Sequence, residues 1–375
     1  MSVPGRLAVV IHALHGGGAE RMAALLANHW AGRGRTVTVV TLGEAHGDTY
    51  GLAPDINRTG LGLVGHSPTP LHGLWNNWRR LRALREAIRQ ARPGVVVSHC
   101  LETNVLVLLA TRRLGCPVVI TEHTSLADHR VGPLWRWLRR RTYPRCAGLV
   151  VLNEAWRESA RQLVGHRPVW VIPNAVRPPR HRRSPGAPGP PGGQRRPFRV
   201  ISMGRLAPEK GFDMLLAAFA QVARDRPHCQ LRILGDGPER PRLQRQIQRL
   251  RLAGQVHLAG WVADPERQLV EADLYVLSSR YEGSPVALQE AMACGLPAVS
   301  FDCPGGARDV VRHEVDGLLV PPGDVEQLAA AIGELADDPD RRERLAARAA
   351  EVCQRFSLEE FFRRWDAALQ MVAPS

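Results

Sequence analysis

Short runs rich in Val, Ile and Leu recur along this chain, separated by polar segments of helical spacing, and the series occurs twice. In the first half the runs fall at 7–11, 36–40, 95–98, 118–121, 149–152 and 169–172, with helical patterns such as 19–29 and 78–91 between them. In the second half they fall at 199–203, 230–234, 256–258, 274–277, 298–300 and 317–320, with helical patterns over 213–224, 239–252, 285–293 and 325–335. Continuous β-branched strands separated by helices predict parallel sheets covered on both faces. Two such series predict two doubly wound α/β domains with a cleft between them. Between the series, residues 178–197 are mostly Pro, Gly and Arg, a composition that cannot build a core. The expected layout is a first domain over 1–178, a linker over 179–197, a second domain over 198–355 and a terminal helix over 356–375.

Of the 50 basic side chains, 49 are arginine, and the single lysine is Lys210. Abundant Ala, Arg, Gly and Pro are what a GC-rich genome produces, and such a genome converts lysine to arginine wherever a generic positive charge will do. A site that needs a compact point charge, with no room for a guanidinium fork, would retain lysine. The alternative is a lysine left by chance at a helix start.

The net charge of +14 is uneven. Residues 1–178 carry 23 arginines against 10 acidic residues, a balance of +13; residues 179–375 carry 27 basic against 26 acidic residues, a balance of +1. A basic first half suits an anionic partner. The seven cysteines are scattered without a C-x-x-C pair, so neither a zinc site nor a disulfide framework is indicated, and a reducing cytoplasm is expected. No apolar run reaches the roughly 20 residues of a membrane span. The run at 7–11 reads as a first strand and not as a secretory signal.

Ligands of such folds sit at the carboxyl ends of the strands. Three turns there carry candidate chemistry. The first is Gly16-Gly17-Gly18, before a helix that begins Ala19-Glu20-Arg21: glycines admit a phosphate or sugar close to the backbone, although a plain strand-to-helix turn reads the same way. The second holds Arg205 and Lys210, two cations on one loop that could grip a diphosphate or simply be solvated. The third is the most specific: Glu282-Gly283-Ser284-Pro285-Val286, leading into a helix that carries Glu290. Free amides at the helix start can bind phosphate, and a carboxylate further along can accept hydrogen bonds from a ribose diol. The alternative is a dipole-stabilised acid at a helix start and a surface glutamate.

The spacing Glu282-x7-Glu290 followed by Ala-Met-Ala-Cys-Gly-Leu-Pro resembles the signature of retaining family-4 glycosyltransferases. So do Gly204-Arg205-Leu206 with Glu209-Lys210-Gly211-Phe212, Gly235-Asp236-Gly237-Pro238, Ile172-Pro173-Asn174, Asp316-Gly317-Leu318-Leu319-Val320-Pro321-Pro322 and the early Gly16-Gly17-Gly18-Ala19-Glu20-Arg21. These motifs span nearly the whole chain in order. The layout is similar to bacterial enzymes of capsular, exopolysaccharide or lipid-linked glycan synthesis, N-acetylgalactosaminyltransferases among them. The resemblance implies a GT-B fold, two Rossmann-like domains with the nucleotide sugar mainly on the second and the acceptor on the first. It implies that Arg205 and Lys210 bind the diphosphate, Glu290 the ribose and Glu282 the donor hexose. Gly17, Gly18, Gly235, Val262, Gly283, Ser284 and Val286 would complete the donor site, and His123 would match a first-domain histidine that points into the cleft. Read without the resemblance, a lone histidine after a strand is more often structural.

The implied reaction breaks the bond between the anomeric carbon and a diphosphate, with protein cations and helix-start amides meeting the developing negative charge. No metal and no cofactor would be required; Asp337-Asp338-Pro339-Asp340 has metal-like spacing but opens a polar helical segment remote from the other motifs. The expected partners are a nucleotide sugar, UDP-linked by preference, and a glycan or lipid-diphosphate acceptor. The segment 134–143, which mixes Trp135, Trp137 and Tyr143 with four arginines, reads either as contact with an anionic membrane or as an ordinary amphipathic core helix. Two rival functions share the fold: a sugar-nucleotide epimerase, which turns over without acceptor, and a non-catalytic nucleotide-sugar-binding subunit. Nucleic-acid binding would rest on charge alone and is not expected.

Overall fold

A computed structural model describes residues 3–64, 70–124, 132–183 and 196–373. The chain divides into two compact units, Met1–Asn174 with Glu359–Ser375, and Ala175–Leu358. The first unit runs β1 (Arg6–Ile11), α1 (Gly18–Ala31), β2 (Thr36–Thr41), β3 (Asn57–Gly60), α2 (Pro70–Ala91), β4 (Val95–His99), α3 (Leu101–Ala110), β5 (Val118–Thr121), α4 (Pro133–Thr142), β6 (Gly148–Val151), α5 (Arg157–Val164) and β7 (Val169–Val171). The second runs β8 (Phe198–Met203), α6 (Phe212–Asp225), β9 (Cys229–Leu234), α7 (Arg240–Arg249), β10 (Val256–Gly260), α8 (Pro265–Val270), β11 (Leu274–Leu277), α9 (Val286–Ala293), β12 (Ala298–Phe301), α10 (Ala307–Val310), β13 (Gly317–Val320), α11 (Val325–Asp337), α12 (Pro339–Ala349) and α13 (Val352–Arg355). The last helix, α14 (Leu358–Val372), packs within the first unit.

Both sheets are parallel, in the orders β3-β2-β1-β4-β5-β6-β7 and β10-β9-β8-β11-β12-β13. The central strands are buried on both faces because helices cover both sides, so Val, Ile and Leu fill consecutive positions: β4 and β11 are buried throughout. Each sheet grows outward from one strand, then restarts on its other side. The carboxyl ends of β1 and β4 in one unit, and of β8 and β11 in the other, therefore flank a topological switch point, where helices leave in opposite directions and open a crevice.

The sequence expectation misses β3, whose residues Asn-Arg-Thr-Gly carry no apolar run because this edge strand is only half covered. It also misses α3: Leu-Glu-Thr-Asn-Val-Leu-Val-Leu-Leu-Ala is buried nearly all round, and a fully buried helix has no polar stripe to reveal its period. The division of the chain falls after Asn174, earlier than the expected boundary at 178. The described part of the Pro/Gly/Arg stretch packs on the second unit: the Arg183 amide donates to the Cys294 carbonyl at 2.8 Å, and its guanidinium pairs with Glu343 at 2.6 Å. Residues 184–195 lie outside the described residues.

Helix α14 buries Phe361, Trp365 and Leu369. Asp366, on the same helix, accepts hydrogen bonds from the Trp30 indole at 2.9 Å and the Arg33 guanidinium at 3.1 Å, and the His29 ring lies at 3.4 Å. All seven cysteines are free thiols. Among the described residues no helix is long and apolar enough to cross a membrane.

Candidate functional site

In the second unit, the loops after β8, β9, β11 and β12 meet backbone to backbone at the switch point. The Gly204 amide donates to the Leu234 carbonyl at 2.9 Å, the Leu206 amide to the Asp236 carbonyl at 2.9 Å, and the Arg280 amide to the Glu209 carbonyl at 2.8 Å. Two glycines make this closeness possible. Gly235, at φ 131°, lies so near the Gly204 carbonyl that a side chain would collide with it, and Gly305, at φ 111°, stands likewise against the Glu282 carbonyl.

This frame brings Lys210 and Glu282 together from positions 72 residues apart: Nζ donates to Oε1 at 2.6 Å, and the Ser279 hydroxyl donates to the same oxygen at 2.6 Å. Glu282 is buried, and Lys210 keeps 26% of its side chain exposed. Burial pulls the lysine pKa down, but the adjacent carboxylate outweighs it and raises the ammonium above its ordinary range. The lysine stem runs over Gly204, which offers no side chain there. On the same loop the Arg205 side chain is exposed and forms no hydrogen bond or ion pair among the described residues. The cation that the sequence singles out is thus held by an acid from the third turn, and Arg205 stands beside it facing solvent.

Helix α9 begins at Val286, with Pro285 just before its first residue. Its opening amides are those of Val286, Ala287 and Leu288, and Glu290, one turn on, is half-buried. Gly283 is buried, and Ser284 and Val286 are half-buried, at the carboxyl end of β11. Val262 follows β10, beyond β9, and packs its side chain on the core.

In the first unit, Gly16 and Gly17 are exposed between β1 and α1, and Gly18, also exposed, is the first residue of α1. The Gly17 amide already donates to the Glu20 carboxylate, a capping box that occupies one of the helix-start donors. Beside this turn, across the switch point, His123 does not stand alone. Its Nε2 lies 3.0 Å from Nδ1 of His99, at the end of β4. Burial drives the His123 imidazole down to about 4, and burial, with His123 adding a smaller push, holds His99 well below the usual range. Two neutral rings share one proton in a hydrogen bond, and each ring's other nitrogen is buried with no partner among the described residues. The next residue, Cys100, adopts φ 71° and ψ 147°, a conformation that costs about 1–3 kcal/mol for a residue other than glycine.

Behind the imidazoles lies a second buried group that sequence reasoning does not reach. The Tyr143 hydroxyl donates to Glu122, and the Asn104 amide donates to the Tyr143 oxygen at 3.3 Å and the Thr121 carbonyl at 3.0 Å. Burial raises Glu122 to about 7, against the opposing pull of Tyr143 and, more weakly, Arg139. The only signal in the sequence was a histidine closing a valine-rich strand and a glutamate next to His123.

Two parallel α/β units, each with its Gly-rich turn at a switch point, define the GT-B class. Residues 16–180 match the family described as Glycosyltransferase Family 4, and residues 191–352 match Glycosyl transferases group 1. With these two matches on successive halves, the chain belongs to the GT-B glycosyltransferases of the family-4 type. It is 26% identical to the GalNAc-alpha-(1->4)-GalNAc-alpha-(1->3)-diNAcBac-PP-undecaprenol alpha-1,4-N-acetyl-D-galactosaminyltransferase of Campylobacter jejuni, over 96% of this chain and 97% of that one. It is 35% identical to an exopolysaccharide phosphotransferase of Streptomyces coelicolor, over 60% of this chain but only 23% of that protein's length. The Anabaena HepE structure in complex with UDP and glucose has the same fold, with a TM-score of 0.79 at 22% identity over 97% of this chain and 99% of that one.

Proposed function

We propose that this protein is a retaining glycosyltransferase that moves a hexose or N-acetylhexosamine from a UDP-sugar to a lipid-diphosphate-linked glycan, without a metal ion. The Lys210–Glu282 pair at the β8/β11 switch point, with Arg205 exposed on the same loop, is the observation that carries this reading. Glu282 keeps the ammonium charged and fixed before any substrate arrives, which is the preorganisation an electrostatic catalyst needs. The undecaprenyl-diphosphate acceptor in the Campylobacter relative's name and the UDP bound by the Anabaena protein support the choice of acceptor and donor class.

In the reaction the anomeric carbon–oxygen bond to the diphosphate breaks, and positive charge builds on the sugar ring. Arg205, Lys210 and the N–H groups of Gly283, Ser284 and Val286 take up the negative charge of the leaving group. Glu290 accepts hydrogen bonds from the ribose, and Glu282 is the acid nearest the hexose. The acceptor hydroxyl attacks from the face the leaving group vacates, and its proton passes to a phosphate oxygen of the departing diphosphate. Gly235 and Val262 contribute on the base side of the second unit's site, and in the first unit Gly17 and Gly18 keep an exposed backbone that a phosphate can approach. His123, held neutral and hydrogen-bonded to His99, carries no charge that would oppose a forming cation. Peripheral contact with an anionic membrane belongs to the same reading, because the acceptor's lipid resides there.

The test is a panel of UDP-, GDP- and ADP-sugars with an undecaprenyl-diphosphate-linked acceptor, run with and without EDTA and read by mass spectrometry. A UDP-sugar product that forms in EDTA and keeps the donor's anomeric configuration is expected. Turnover of the donor without acceptor, giving an epimer, would replace this reading by an isomerase. A requirement for added divalent cation would refute the role given to Arg205 and Lys210.

A further inference from the structure

We propose that α2 and α4 together form a tryptophan–arginine face by which the protein seats on an anionic lipid bilayer. This deepens the functional reading above by identifying the surface that meets the acceptor's membrane. The sequence raised the question only for α4, with an ordinary core helix as the alternative. The structure divides that helix: Trp135 and Leu138 pack on the core, whereas Leu134 and Trp137 point outward, 56% and 55% exposed.

Helix α2 does the same with no forewarning from the sequence. Its inner stripe, Leu81, Leu84 and Ile88, joins the core. On the opposite stripe Trp75 and Trp78 stand outside, 57% and 49% exposed, stacked at 5.1 Å between ring centroids. Five of the eight large apolar side chains exposed among the described residues are Val64, Trp75, Trp78, Leu134 and Trp137. Four of them lie on α2 and α4, and Val64 follows β3. Helix α2 follows β3 and α4 follows β5, so the opening turns of both helices lie at the carboxyl edge of the same parallel sheet, where His99 and His123 also stand. Helix α3 packs against both.

The chemistry of this face selects its occupant. On each helix one exposed indole carries an arginine over its ring: Arg82 lies 5.6 Å from the Trp78 centroid and Arg141 lies 5.5 Å from that of Trp137. Arg79, Arg136 and Arg140 are exposed on the same helices. A protein core needs none of these groups, since the inner stripes already bury the helices. An indole settles at the level of lipid headgroups, with its apolar body inward and its N–H in the wet layer. A guanidinium beside it meets the phosphate of an anionic headgroup. The balance of +13 over residues 1–178 provides the long-range attraction to the same surface.

The test uses the full chain with two kinds of vesicle, phosphatidylcholine alone and phosphatidylcholine mixed with phosphatidylglycerol, read by co-sedimentation. The wild-type protein should bind the mixed vesicles and be released by salt. Arg82→Gln with Arg141→Gln should weaken that binding by about 5-fold for each charge removed, roughly 25-fold in all. Trp75→Ala, Trp78→Ala and Trp137→Ala together should abolish retention on both kinds of vesicle, and brominated lipids should quench wild-type tryptophan fluorescence. If the triple variant does not fold, the two arginine substitutions, at exposed positions, carry the test alone. Wild-type indifference to phosphatidylglycerol, or unchanged binding by the arginine variant, overturns the proposal. So does a finding that these substitutions instead abolish single-stranded oligonucleotide binding or break a dimer on gel filtration. Donor turnover with a water-soluble acceptor should survive in every variant. Loss of that turnover in the wild type would sink the functional reading and leave lipid binding standing.

Discussion

The structural part of the Lys210–Glu282 pair can be separated from the catalytic part proposed for it by a double-mutant cycle of Lys210→Met and Glu282→Gln. At 2.6 Å and an effective dielectric near 20, the attraction is about 6 kcal/mol before desolvation. Glu282 is almost fully covered and Lys210 partly so, and desolvation cancels much of that figure, leaving a coupling of about 2 kcal/mol. Lys210→Met alone should cost about 3 kcal/mol, because the Glu282 carboxylate keeps only the Ser279 hydroxyl. Glu282→Gln alone should cost about 2 kcal/mol, and the double variant about 3, since removing both groups strands no charge. Urea denaturation at neutral pH measures these values.

Turnover should behave differently. Lys210→Met should cut it by on the order of 10²-fold, and the double variant should not regain rate, because the leaving group still lacks its cation. The raised lysine pKa adds a pH signature: the pair's stabilisation is complete below the ordinary lysine value and is lost as pH climbs through the folded one. A coupling under about 0.5 kcal/mol, or a double variant with near-normal turnover, would refute the assignment of this charge to the diphosphate.

Three further substitutions probe the rest of the molecule. His123→Asn should flatten the acid dependence of stability. An imidazole held at about 4 in the folded state and near 6.5 in the unfolded one destabilises by about 3 kcal/mol as pH falls between those values. Glu122, raised to about 7, acts with the opposite sign by adding stability as pH falls from 7, so the comparison is between variant and wild type in denaturant titrations at pH ~7 and ~4.5. Tyr143→Phe should cost about 2 kcal/mol by withdrawing the hydroxyl from buried Glu122, read as a lowered Tm, with donor affinity unchanged. Asp366→Ala should cost about 2 kcal/mol, because the buried Trp30 indole N–H loses its acceptor; an unchanged Tm would deny α14 its anchoring role.

Strand and helix order, the composition of the 178–197 stretch and the apolar spacing of α14 were legible in the residues, because each depends on a period or composition a few residues wide. The second unit's turns were legible for the same reason: Glu282, the helix start and Glu290 lie within nine positions of one another. Pairings between distant positions were decided by tertiary structure. Strand order places β4 beside β5 and so sets His99 against His123, 24 residues apart, and the β8/β11 switch point sets Glu282 on Lys210. Exposure was also settled there. Leu84 and Trp78 are both large apolar side chains on one helix, yet Leu84 is fully buried and Trp78 is half exposed. Residue type does not separate them; the packing of α2 against α3 decides which stripe is covered. Periodicity is a local property of a chain, whereas a side chain's partner and its access to solvent belong to whatever the rest of the fold brings against it.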